Sequence, residues 1–355
     1  MTPSNIKVNS RSVRWGRLTA GLTQSYQRKL ATSILGMESA IKISECLENI
    51  VGELLGWHRP ECFLFELSVG AVFGLSMGEE KCILKAYSSD TELESLKAQS
   101  RFQRYLSEQG FPCPPVISEP AVRDGLIFTI EGYLGKGRRA DGHLKEDRKL
   151  MAKSLAELIA IGEQYQYQDE LPRYLLQAVE GSPWPKPHNV LFDFPATSRG
   201  AEWIDDVGWR FKTSSEASDQ TLKIGHLDWG AKHIRMASRQ VSAIYDWDSV
   251  ARFPEAHIIG SAAINLATSW YVSGSNRPTL VELLDFLDQY QLARGRFFSK
   301  GQRDTLVSSM LYGAGYSARC EYSIKAEAGR TENCEFLRML LDSDLETFVE
   351  RLRTA

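Results

Sequence analysis

The sequence predicts an α+β chain of two lobes, a small antiparallel-sheet lobe first and a mainly helical lobe second. Three observations carry this reading. Short β-type runs crowd between residues 62 and 130, three glycines (Gly132, Gly135, Gly137) then interrupt the pattern, and beyond them apolar residues recur mostly at helical spacing. The predicted organisation is a basic, disordered extension over 1–37, a sheet lobe over 38–131, a linker over 132–142 and a helical lobe over 143–355.

The extension is inferred from charge. Residues 1–37 hold six bases and no acid, whereas the other 318 residues carry 36 bases against 45 acids. Met37 stands just before the first strong helical pattern, so the segment reads as a tail or as the product of an upstream start. In that pattern Ile43, Leu47, Ile50, Val51 and Leu54 share one face of a helix over 39–57. Strands follow over 62–67, 71–75 and 81–87, the first two joined at Ser68-Val69-Gly70 and the third reached through Gly78. A helix over 92–109 buries Leu96, Phe102 and Leu106 and stops at Gly110 before Pro112, Pro114 and Pro115. Strands at 116–117 and 126–130 complete the lobe.

In the second lobe Met151, Leu155, Leu158 and Ile159 mark one helix, and further helices are expected over 256–271, 280–292, 302–312 and 336–352. The exception is 224–249, where β-type runs return. Residues 234–236 and 241–245 can pair across the turn 237–240, a hairpin that sets position 233 beside Asp246. The loop carrying Asp228 enters the same mouth. The densest reactive cluster is therefore His226-Leu227-Asp228-Trp229-Gly230-Ala231-Lys232-His233 followed by Asp246-Trp247-Asp248.

On these residues the chain resembles the aminoglycoside phosphotransferase and choline-kinase-like branch of the protein-kinase-like fold. His226, Asp228 and Asp246-Trp247-Asp248 match that family's H-G-D-x-x-x-x-N loop and I-D-W-[ED] strand end, the two key aspartates lying 18 positions apart. Upstream, Ser68 to Gly74 lies where such kinases place a glycine hairpin over phosphate, and Cys82-Ile83-Leu84-Lys85 is similar to the third-strand lysine motif. The segment 110–117 is similar to the family's proline turn, and Ile130-Glu131-Gly132-Tyr133-Leu134 to its hinge.

The resemblance implies ATP- or GTP-dependent transfer of a γ-phosphate to a hydroxyl of a small molecule, with an aminoglycoside-like antibiotic, an amino alcohol or a sugar-like compound as acceptor and Mg²⁺ as cofactor. It implies Asp228 as base and His226 as a brace for the catalytic loop. It implies Asp246, His233 and Asp248 as metal ligands, and Gly70, Lys85, Glu131 and Tyr133 as the nucleotide site. Three departures stand out. His233 replaces a metal-binding asparagine, Gln99 stands where a glutamate pairs with the lysine, and Leu227 replaces a glycine. They motivate two alternatives, an inactive nucleotide-binding protein and a metal-dependent hydrolase using His226, Asp228, His233 and Asp246.

Two further segments bear on the site. Pro187-His188-Asn189 imitates the end of a catalytic loop, but Trp184 occupies the position an aspartate needs, so it reads as a connection within the helical lobe. Glu202-Trp203-Ile204-Asp205-Asp206 reads as a solvated helix face or as an acidic wall for a cationic acceptor.

Composition narrows the classes. With 355 residues, 43% of them apolar, the chain is folded, and a net charge of −3 gives no basic field to recruit nucleic acid or a membrane surface. The most apolar stretch, 256–272, is interrupted by His257, Ser261 and Asn265 and does not make a continuous span. Six scattered cysteines without a C-x-x-C pair read as reduced packing residues of a cytoplasmic protein. Nothing in the pattern specifies the number of copies.

Overall fold

The computed structural model describes residues 13–173, 179–216, 221–269, 275–324 and 331–352. Two compact units divide the chain, one of residues 1–97, 115–133 and 188–191, the other of 98–114, 134–187 and 192–355.

The first unit is an antiparallel sheet in the order β1-β2-β3-β5-β4, from Glu61–Leu67 (β1), Ala71–Met77 (β2), Glu80–Ser88 (β3), Val116–Arg123 (β4) and Leu126–Gly132 (β5). Period-two alternation separates its faces. Cys82, Leu84 and Ala86 of β3 and Phe128 and Ile130 of β5 share a core with three helices, Gly16–Gly21 (α1), Ser25–Leu35 (α2) and Ala40–Leu55 (α3). On the other face Tyr87 pairs with Ile127, and both pack on Leu96 in the first turns of Leu93–Glu108 (α4).

The two opening helices contradict the disordered extension. Trp15, Leu18 and Leu22 recur at helical spacing, as do Leu30, Ile34 and Leu35, and all are buried in the sheet's core. Trp15 Nε1 donates to Glu48 Oε1 at 2.9 Å, Arg14 bonds the Pro60 carbonyl at 2.9 Å, and a Cβ on Gly21 would meet the Phe65 ring at 2.5 Å. Charge imbalance misled because two of these bases are spent on partners within the unit: Arg14 on Pro60 and Glu48, and Arg28 on the carbonyls of Leu22 and Thr23. Residues 1–12 lie outside the described part.

In the second unit Lys145–Gln164 (α5), Glu202–Glu216 (α6), Glu255–Asn265 (α7), Leu280–Arg294 (α8) and Lys300–Ser323 (α9) surround one apolar core. Glu332–Asp342 (α10) and Leu345–Glu350 (α11) close the described chain. The expected single helix over 336–352 is broken at Ser343-Asp344, where Asp344 adopts φ 47°. The helix expected over 256–271 ends at Asn265, and Tyr271 lies outside the described residues. Residues 98–114 belong here because Phe102, Leu106, Phe111 and Cys113 are buried in this core. Residues 188–191, read as a connection within the helical lobe, instead belong with the sheet, where Leu191 packs against its core.

Two small ladders shape the second unit. Arg138–Arg139 (β6), Ile234–Ala237 (β8) and Gln240–Ile244 (β9) form a sheet in the order β6-β8-β9, and Leu222–His226 (β7) pairs antiparallel with Val250–Pro254 (β10). All six cysteines are free, and no described helix is long and apolar enough to cross a membrane.

Candidate active site

The site of the second unit is assembled by its two ladders. Ile234 pairs with Ile244 and Ala237 with Gln240, so the β8–β9 turn has two central residues, Ser238 and Arg239, at φ 50° and 60°. Positive φ at both positions matches the right-handed twist of the strands. At the open end the Tyr245 N–H donates to the His233 carbonyl at 2.9 Å, and the next residue, Asp246, takes a left-handed conformation (φ 73°) that turns the chain into β10. Pairing of Val250 with His226 and the Leu227 N–H to the Ser249 carbonyl at 3.0 Å bring the Asp228 loop alongside.

Three ligand atoms converge there. His233 Nε2 lies 3.0 Å from Asp228 Oδ2 and 3.6 Å from Asp246 Oδ2, and one donor atom from each residue falls within 4.8 Å of the others. Two carboxylates and an imidazole at these separations fit a divalent cation. The Asp248 carboxylate is outside this group; its backbone carbonyl accepts from Gln99 instead.

The loop is held rigidly. Ala231 and Lys232 N–H groups donate to the carbonyls of Leu266 and Thr268 at 3.2 and 2.8 Å, and Arg139 bonds the Lys232 carbonyl at 3.2 Å. A Cβ on Gly230 would lie 2.7 Å from the Asn265 carbonyl oxygen, which explains the glycine there. Lys232 Nζ then reaches Asp228 Oδ2 at 2.6 Å. Burial, the largest influence on Asp228, pushes its carboxyl up, but Lys232 and the hydrogen-bonded His233 outweigh it and hold the group well below the ordinary carboxylate range.

His226 is wholly buried between the rings of Trp229 and Trp247, at 5.8 and 5.6 Å. Its Nε2–H donates to the Tyr245 carbonyl at 2.9 Å, fixing the tautomer, and burial lowers its pKa to about 4, so the ring is neutral near pH 7. His226 thus ties the loop to the Tyr245 carbonyl, away from solvent, and lies outside the group of converging ligand atoms.

The nucleotide candidates lie in the first unit. Lys85 is opposite Thr129 and Ile83 opposite Glu131, so the Lys85 and Glu131 side chains, both buried, share the sheet face that also carries Tyr87. At the β1–β2 hairpin the Ser68 N–H donates to the Gly70 carbonyl at 3.0 Å. A Cβ on Gly70 would stand 3.1 Å from the Ala86 carbonyl oxygen and from the Tyr87 ring, a tight fit against both. Tyr133 packs edge-on against Phe63 at 5.0 Å, with the Lys81 ammonium over both rings.

The Gln99 amide is committed inside its own unit. Its Nε2 donates to the carbonyls of Asp248 and Val250, both at 2.8 Å, latching α4 to the start of β10. Within the acidic segment of α6, Asp205 accepts from Trp184 Nε1 at 2.6 Å and Arg319 Nε at 3.1 Å, so it is occupied by partners inside its own unit, while Glu202 and Asp206 are exposed. Sequence reasoning placed Lys232 in the reactive cluster without giving it a role, and missed Ser249, whose hydroxyl donates to Asp246 Oδ2 at 3.1 Å. It also missed the Gln99 latch, which spans about 150 positions and leaves no local trace.

No protein-family model matches the chain, and no curated protein does. Solved structures match well. An amicoumacin kinase in complex with AMP-PNP, Ca²⁺ and Ami aligns over 89% of this chain and 98% of its own, with TM-score 0.63 and 10% identity. A microcompartment-associated aminopropanol kinase aligns over 88% and 100%, with TM-score 0.61 and 13% identity. A thermostable mutant of an aminoglycoside phosphotransferase, in ternary complex with ADP and hygromycin B, aligns over 86% and 98%, with TM-score 0.51 and 11% identity. The chain therefore has the protein-kinase-like fold of these small-molecule kinases, an antiparallel-sheet unit with a mainly helical remainder.

Proposed function

We propose that this chain is a phosphotransferase that moves the γ-phosphate of ATP or GTP to a hydroxyl of a small molecule. The observation that carries the proposal is the convergence of Asp228, His233 and Asp246 at one hairpin mouth, in a fold shared with solved small-molecule kinases. Asp228 and Asp246 would hold a divalent cation together with His233. Bound there, the cation would neutralise charge on the transferring phosphates.

The remaining work falls to side chains. In transfer, the acceptor oxygen bonds to the γ-phosphorus as the bond to the β,γ-bridging oxygen breaks, and the hydroxyl proton must leave. Asp228 is ionised at neutral pH and one-third exposed. It is therefore a weak base that orients the hydroxyl and takes its proton late, as a loose transition state permits. Lys232 keeps that carboxylate charged and fixed. Lys85 supplies a buried cation for the nucleotide phosphates, on the strand next to the glycine hairpin.

Thermal unfolding with ATP or GTP, with and without divalent cation, tests the reading on wild type, Lys85→Ala and Asp246→Ala. A ligand at 100 times its Kd stabilises by about 2.7 kcal/mol. A cation-dependent shift in wild type, lost in both variants, supports phosphotransfer and directs a screen of aminoglycosides, amino alcohols and sugars. Absence of a shift with either nucleotide defeats it.

A further inference from the structure

We propose that the Asp228, His233 and Asp246 site selects Mn²⁺ over Mg²⁺, with His233 Nε2 as the selecting donor. The inference rests on the metal-assisted reading above and concerns which ion this donor set takes. Around an ion with bonds of about 2.1 Å, adjacent octahedral donors stand about 3.0 Å apart and opposite donors about 4.2 Å. The separations of His233 Nε2 from Asp228 Oδ2 and Asp246 Oδ2, 3.0 and 3.6 Å, fall inside that range.

Two features disfavour Mg²⁺. It is a hard ion that takes oxygen donors, and here one of three protein donors is an imidazole nitrogen. Its binding is also chiefly electrostatic, and Lys232, 2.6 Å from Asp228 Oδ2, cancels part of the charge that would attract it. With less charge to draw on, the bond to nitrogen decides the affinity. Imidazole bonds first-row transition ions more strongly, while the two carboxylates and phosphate oxygens suit the oxygen-preferring end of that series, which is Mn²⁺.

The imidazole is placed to act as a ligand. The His233 N–H donates to the Gly230 carbonyl at 3.1 Å and its carbonyl accepts from Tyr245, so the backbone is pinned from both sides. The ring faces both carboxylates through one nitrogen and is 17% exposed.

The test uses Mn²⁺ alone on the full chain. Electron paramagnetic resonance counts free Mn²⁺ during titration, Mg²⁺ is added as competitor, and pulsed measurements detect ¹⁴N coupling to the bound ion. In wild type one Mn²⁺ should bind with ¹⁴N coupling and resist about a 100-fold excess of Mg²⁺; His233→Asn should abolish the coupling and lower the required excess about tenfold or more. Bound Mn²⁺ without ¹⁴N coupling, an unchanged competition ratio in His233→Asn, or no Mn²⁺ binding overturns the inference. The coupling in wild type is decisive even if the variant does not fold. A nucleotide shift without ¹⁴N coupling sinks this inference and spares phosphotransfer, whereas ¹⁴N-coupled Mn²⁺ with no nucleotide response does the reverse.

Discussion

Replacing Gln99 by glutamate separates two accounts of this residue. If position 99 answered to a lysine-pairing carboxylate, restoring the acid would be harmless and would tighten nucleotide binding. The structure predicts the opposite. Gln99 is buried, 8% exposed, and its amide donates to the Asp248 and Val250 carbonyls at 2.8 Å each. Two net hydrogen bonds contribute about 1–3 kcal/mol. A carboxylate also sets a buried charge against two carbonyl oxygens, and an uncompensated buried charge costs about 3–5 kcal/mol.

Protonation relieves part of this, since a neutral carboxyl in the variant donates one bond. The folded-state pKa of the new acid is thus raised above its unfolded value near 4.3. By linkage its stabilising contribution is present at low pH and lost as pH rises through the folded pKa. Urea unfolding at pH 7.5 and pH 5 measures both effects. Expected is a deficit of about 3–5 kcal/mol at pH 7.5 that shrinks at pH 5, with the near-isosteric Gln99→Met losing about 1–3 kcal/mol at either pH. Wild-type stability of Gln99→Glu at pH 7.5, or an equal deficit at both pH values, refutes the latch.

Two other substitutions probe the scaffold. Trp15→Ala removes a side chain 2% exposed in the core of the sheet unit and should cost about 3–5 kcal/mol in urea unfolding, against no change for a disordered tail. Glu255→Gln removes the buried carboxylate that receives Tyr290 at 2.6 Å and lies 3.1 Å from the 5%-exposed Arg294; an uncompensated Arg294 should cost about 3–5 kcal/mol, and a loss below about 1 kcal/mol would show that the ion pair is dispensable.

Strands, helices and the hairpin mouth of the site were legible from the order of residues alone. Period-two runs marked the strands that build the sheet, and periodic apolar faces marked the helices, because burial on one face is a local property of the chain. The turn at 237–240 likewise set His233 beside Asp246, since a short hairpin leaves its register little freedom. A resemblance of motifs in order then pointed to the fold that the solved kinases share.

Other features depend on contacts between residues distant in the chain. Six bases without an acid looked like a tail because charge was weighed before the helical spacing of Trp15, Leu18 and Leu22, and whether that stripe finds an apolar partner depends on a sheet assembled later in the chain. The latch of Gln99 and the commitment of Asp205 to Trp184 and Arg319 join residues far apart in sequence. The protonation of His226 and Asp228 also waited on the fold: one is neutral because two tryptophans exclude water from it, the other charged because Lys232 and His233 face it. Desolvation and Coulomb interaction depend on what surrounds a group in space, and sequence order does not list those neighbours.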